Sequence, residues 1–325
     1  MAALVAALAL GGCGGSDDAP APPTGPLADA LAATGGGGAN GSLGFGWAEP
    51  RLVAQSGAGP RISAAALGPN AGSVVEAASR LRRRFGLDSL AAERLVSVGG
   101  SYAFGVRLDG ADGRGLARAL AAAGGRARQA GGLELVEIGD YAVVPEPLLS
   151  AGVRGLGAFD ALGRDLVVLA ISERARAALL GRGDRLLDEP TYRAAADCLG
   201  DVVAARMVPD KLLISNEQGV DLLAVGMRAG GEVLCVLGGT HERSAEVAAN
   251  LEASLAPGAR DPASGEPIGE SVAAVEVVSD EYEGVEVARA NLTLAAGEPR
   301  GFLFRALSQG SLVALINGTS RVFTP

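Results

Sequence analysis

The sequence predicts an α+β protein, with antiparallel sheets and helices on one face. Three observations carry that expectation. Hydrophobic residues make up 48% of the 325-residue chain, enough for a sizeable core. Apolar stripes at helical spacing alternate with short runs of period two. Several of those runs flank tight turns, such as Gly139-Asp140 and Ala229-Gly230-Gly231. Turns that short join antiparallel neighbours.

The folded body is expected to start near Ser42. Leu43-Gly44-Phe45-Gly46-Trp47 alternates like a first strand, and Pro50 stops it. Arg51 to Asn70 reads as irregular. Ser73-Val74-Val75-Glu76 has the spacing of a capping box, in which the hydroxyl accepts an orphan N–H and the carboxylate reaches back. Val74, Ala77, Ala78, Leu81 and Phe85 then share one helical face, and Gly86 ends that helix. Asp88 can cap a short second helix reaching Leu95.

Tyr102 to Leu108 reads as a strand, followed by a helix capped by Asp112 and closed by Gly124-Gly125. Leu133 to Ile138 and Tyr141 to Val144 read as strands. Asp165 to Ile171 is a buried strand, after which Ser172 caps a helix ending at Gly181. A long helix is expected from Glu189 to Met207, with Pro190 tolerated in its first turn.

Leu222 to Arg228 and Glu232 to Leu237 form a hairpin pattern, and Thr240 can cap the helix after it. Val272 to Val278 pairs with Val285 to Leu294, and Gly301 to Leu307 with Ser311 to Ile316. The order strand–helix–strand–strand thus recurs at 102–171 and 232–307, which suggests a duplicated ferredoxin-like unit. The expected division is 1–12 leader, 13–40 disordered tether, 41–210 first α+β domain and 211–325 second.

The leader is the most specific signal. Met1 to Leu10 is a short apolar run followed by Gly11-Gly12-Cys13. It is too short to span a bilayer and has the length of a signal-peptide core. It carries no basic residue; the first in the chain is Arg51. Leu10-Gly11-Gly12-Cys13 resembles the lipobox of bacterial lipoproteins, and the body resembles uncharacterised lipoproteins of high-GC bacteria. The resemblance implies cleavage before Cys13, diacylglycerol on its thiol and a lipid anchor on the outer face of the cell membrane. With Cys13 consumed, Cys198 and Cys235 remain as an even pair in an exported protein, so a disulfide between them is expected.

The net charge of −9 argues against a nucleic-acid partner, since an anionic surface repels phosphate. Arg80-Leu81-Arg82-Arg83-Arg84 reads as a solvated helical face. One His among so few Cys leaves no transition-metal ligand set, and no cofactor motif is present. Gly99-Gly100-Ser101-Tyr102-Ala103 approaches a nucleophile elbow, but an alternating run follows where an elbow needs a helix. Ser101 and His241 are therefore not expected to be catalytic partners, and a Gly-rich turn is expected at 99–101. The turn acids Asp280, Glu281 and Glu283, and Asp261, Glu266 and Glu270 before them, read as solvated loops. Gly238-Gly239-Thr240 opens a helix and offers a weak anion-binding signal. The sequence points to a non-enzymatic binding or structural module of the cell envelope, with no catalytic residues. A solute-binding lipoprotein of a transporter and a serine hydrolase are the alternatives.

Overall fold

The computed structural model describes residues 23–36, 43–100, 104–137, 152–153, 157–212, 219–262, 264–297 and 300–318. The expectation for Cys13, Ser101 and the strand at Tyr141 to Val144 falls outside them. In chain order the elements are α1 (Pro26–Ala32), β1 (Phe45–Ala48), α2 (Pro50–Gln55), α3 (Pro60–Leu67), α4 (Ser73–Glu76), α5 (Ala78–Phe85), β2 (Arg94–Gly99) and β3 (Phe104–Asp109). There follow α6 (Arg114–Ala122), β4 (Arg126–Ala130), β5 (Leu133–Glu137), β6 (Asp160–Leu162), β7 (Leu166–Ala170), α7 (Glu173–Leu179), α8 (Pro190–Leu199) and β8 (Ala204–Pro209). The chain continues through β9 (Leu222–Met227), β10 (Glu232–Leu237), α9 (His241–Ser254), α10 (Ile268–Ser271), β11 (Val272–Tyr282), β12 (Val285–Leu294), α11 (Phe302–Ser308) and α12 (Ser311–Ile316).

The twelve strands among the described residues join one sheet in the order β11-β12-β10-β9-β8-β1-β2-β3-β7-β6-β5-β4. Every described pairing is antiparallel, as an α+β protein requires. The sheet runs unbroken across residue 210, because β8, which ends at Pro209, pairs with β9, which begins at Leu222. The order strand–helix–strand–strand occurs at β3-α6-β4-β5 and at β10-α9-β11-β12. The two differ in the sheet: β12 alone lies between β10 and β11, whereas β7, β6 and β5 lie between β3 and β4.

Helices cover both faces of the sheet, which corrects the one-face expectation. The reason is visible in the central strands. All six residues of β9 and all six of β10 are buried, so neither face can be left to water. Phe45, Trp47, Val96, Val98, Met207 and Cys235 point to one face, where α1, α7 and α8 cover them. Ala48, Leu223, Val225, Leu234 and Val236 point to the other, under α2, α3, α9, α11 and α12. Leu95, Val106, Leu108 and Val167 continue that second face under α4 to α6.

Several local expectations change. The segment expected as tether contains α1, whose Leu27 and Leu31 are buried against the sheet. Arg51 to Asn70 is not irregular: α2 and α3 occupy it, each with Pro in its first turn. The helix expected from Ser73 breaks at Ala77, and the Ser73 hydroxyl donates back to the Asn70 carbonyl at 2.7 Å instead of capping. The run before Leu95 is no helix: Asp88 Oδ1 accepts from Leu90 N at 3.2 Å, and β2 begins at Arg94. The long helix stops at Leu199, since Gly200 turns at φ 60°, and the remainder becomes β8. Gly301 to Ile316 forms two helices where a strand pair was expected. Ser172 and Thr240 do cap their helices, accepting from Ala175 N at 3.2 Å and Arg243 N at 3.3 Å.

Candidate functional site

The middle of the sheet carries helices from both halves of the chain, and they leave a gap. A cleft of about 800 Å³ opens between α3, α4 and α5 on one side and α11 on the other. Ala64, Ala65, Val75 and Phe304 supply its apolar wall; Arg61 and Glu76 are among its polar groups. Small-molecule sites have this size and this mixture of surfaces.

Beside it, across the Gly68-Pro69 turn, lies a second hollow of about 120 Å³. It sits where β1 begins and where β2 and β8 end. Gly44, Gly99 and Gly100 line it, so much of its wall is backbone. Arg206 supplies the charge. It alternates with Ala205 and Met207, which point to the opposite face, so its side chain rises toward α3. Arg206 Nη1 donates to the Ala65 carbonyl at 3.4 Å, a long contact at the C-terminal end of α3. No carboxylate among the described residues pairs with it. Burial pushes its pKa down to about 10, which leaves it charged at neutral pH. Gly68 has φ +89°, and a Cβ there would lie 3.3 Å from the Arg206 guanidinium carbon. The bare turn is what lets the guanidinium approach.

Arg206 is not visible as a site residue in the sequence, where it falls inside the expected helix to Met207. One signal was present: a single charge inside the run Val202-Val203-Ala204-Ala205-Arg206-Met207-Val208. Gly99 ends β2, and β3 begins at Phe104 as a strand rather than the helix an elbow needs; Ser101 lies outside the described residues.

His241 starts α9 with its side chain 80% exposed, and Nδ1 lies 3.2 Å from Glu286 Oε2. The strand ending at Gly99, just before Ser101, lies four places from the strand ending at Leu237, just before His241. That is about 19 Å of sheet at the usual strand spacing. The acidic turn is internally engaged: Asp280 Oδ1 accepts from Glu281 N at 2.9 Å, and Glu283 pairs with Arg193. Asp261 Oδ2 accepts from the Ser264 hydroxyl at 3.1 Å. At Gly238-Gly239 the Asp221 carboxylate lies against Gly238, so a negative group already occupies the approach. Among the described residues no cluster of His, Cys, Asp or Glu could hold a metal ion, and no helix is long and apolar enough to cross a membrane. Arg80, Arg82, Arg83 and Arg84 of α5 are exposed, with Arg82 3.3 Å from Asp88.

Cys198 of α8 and Cys235 of β10 are joined by a disulfide, with Cα atoms 6.4 Å apart. It lies on the face opposite the cleft, among fully buried side chains. No family model, no curated protein and no solved structure matches this chain.

Proposed function

We propose that this chain is a cell-envelope lipoprotein, held by lipid on Cys13, that binds a small solute in the cleft between α3–α5 and α11 without transforming it. The carrying observation is the cleft of about 800 Å³, walled by apolar residues with a few charged groups. The leader Leu10-Gly11-Gly12-Cys13 supports the address. The antiparallel sheet does not favour the transporter alternative, whose usual lobes have parallel strands. The strand after the Gly-rich turn does not favour the hydrolase.

Four measurements test this. Intact mass of the membrane-extracted protein should show loss of residues 1–12 and added acyl chains on Cys13. A Cys13→Ser form recovered in the same membrane fraction would count against the anchor. A thermal-shift screen of small solutes should find at least one that raises the melting temperature, because a ligand that binds only the fold stabilises it. A fluorophosphonate probe that labels Ser101 would replace the binding module with the hydrolase.

A further inference from the structure

Arg206 is a part-buried charge with few partners. A guanidinium taken from water costs several kcal/mol unless partners replace the water. Among the described residues its one hydrogen bond is the 3.4 Å contact to the Ala65 carbonyl, although the group carries five donors in a fixed fork. The hollow beside it has room for a small polyatomic ion. Among the described residues its wall adds no acid: the Ser97 hydroxyl is spent on the Leu67 carbonyl at 2.9 Å, and the glycines contribute backbone only. A forked cation facing a small, partly open hollow fits an oxyanion, which guanidinium binds in bidentate fashion.

We propose that the hollow at the ends of β1, β2 and β8 binds an anionic oxygen group, a carboxylate or a phosphate, on Arg206. The assignment rests on the binding function proposed above and names the chemistry of its ligand. Such a group could be a free ion or the charged end of a larger solute that crosses the Gly68-Pro69 turn into the cleft.

The site has a thermodynamic signature. If Arg206 is kept for a ligand, the empty protein is strained by its desolvation, and Arg206→Met should melt at the same temperature as the parent or higher. If Arg206 is only a strut for α3, the same change should lower the melting temperature.

The test measures melting temperature and calorimetric binding on the full chain at low ionic strength. The probes are inorganic phosphate, acetate and glycerol phosphate. The parent and Arg82→Met, which alters an exposed residue of α5, should respond saturably to at least one. Arg206→Met should lose the response. Arg206→Lys, which keeps the charge but not the fork, should bind at least fivefold more weakly. Tighter binding of glycerol phosphate than of phosphate identifies the charged end of a larger solute; equal binding identifies a free ion. The proposal is overturned by an undiminished response in Arg206→Met or Arg206→Lys, or by no response of the parent to any probe at tens of millimolar. A neutral solute that stabilises parent and Arg206→Met alike would overturn the anion site and leave the binding module standing. Absence of a response to any solute would remove both.

Discussion

Glu232, the first residue of β10, closes the N-terminus of α11: its Oε2 accepts a 2.6 Å hydrogen bond from Leu303 N–H. Its Oε1 accepts from Phe302 N at 2.9 Å and from Gly301 N. A buried carboxyl from the sheet thus satisfies three of the orphan donors of a helix that forms one wall of the cleft. Burial raises its pKa, while the three N–H groups and Arg305 work in the other direction. Glu232→Ala leaves three buried donors without an acceptor and should cost about 3 kcal/mol. Denaturant unfolding checks it, read by the fluorescence of Trp47, the only Trp and fully buried. A loss near zero would mean that water or another group serves those donors.

That bond explains one failure of the sequence. Gly301 to Ile316 is a pair of short apolar runs around Gly310, a pattern that suits two strands or two helices. What selects helix is a cap from a residue 71 positions away, which no local pattern encodes. Ser172 and Thr240 were legible because each accepts from a residue three positions on. The helix stops at Leu199 because Gly200 turns at φ 60°, and the Gly itself is the local signal in the sequence. The helices on both faces were harder to see. They follow from unbroken apolar runs such as Val233 to Leu237, where alternation is absent and strand faces cannot be told apart. The cleft has no sequence signature, since α3 and α11 meet only in space.

Asp160 on β6 is fully buried, accepting from Gly157 N at 2.8 Å and Ala170 N at 3.3 Å. Desolvation raises its pKa to about 7, against opposition from those bonds and Arg176. The fold therefore binds this proton more tightly than the unfolded chain does. The resulting stability is complete below the unfolded pKa near 3.8 and is lost as pH rises through about 7. Asp160→Asn cannot titrate. The stability of the parent relative to Asp160→Asn should fall by up to about 4 kcal/mol between pH 4 and pH 7. A difference that stays flat with pH would show that Asp160 remains ionised in the fold.

Gly46 on β1 lies directly beneath α3. A Cβ at this position would press into the Ala66 carbonyl oxygen and the Ser97 hydroxyl. Backbone cannot swing aside as a side chain can, so α3 would have to lift from the sheet and carry Gly68 with it. Gly46→Ala should cost about 2 kcal/mol or more through overpacking. It should also weaken any ligand held by the cleft, since α3 forms part of the wall. A variant as stable as the parent would mean that α3 is free to move, and a ligand-stabilisation measurement would then report its new position.

The Cys198–Cys235 bond ties α8 to the centre of the sheet on the face away from the cleft. The 6.4 Å Cα separation lies within the range a disulfide spans without moving the backbone. Both residues are fully buried, so a reductant reaches the bond only through opening of the core. The bond closes a loop with a sequence separation of 37. The chain-entropy model assigns such a loop about 4 kcal/mol. Cys198→Ala with Cys235→Ala should therefore lower the denaturant midpoint strongly and steepen the unfolding slope, because the unlinked unfolded chain exposes more surface. Thiol titration of the unfolded, unreduced protein gives an independent count over the three cysteines of the chain. No reactive thiol means a disulfide and a modified Cys13; a single thiol means the disulfide with Cys13 free. Two or three thiols would contradict the bond, and the stability assigned to it would then belong to the packing of α8 alone.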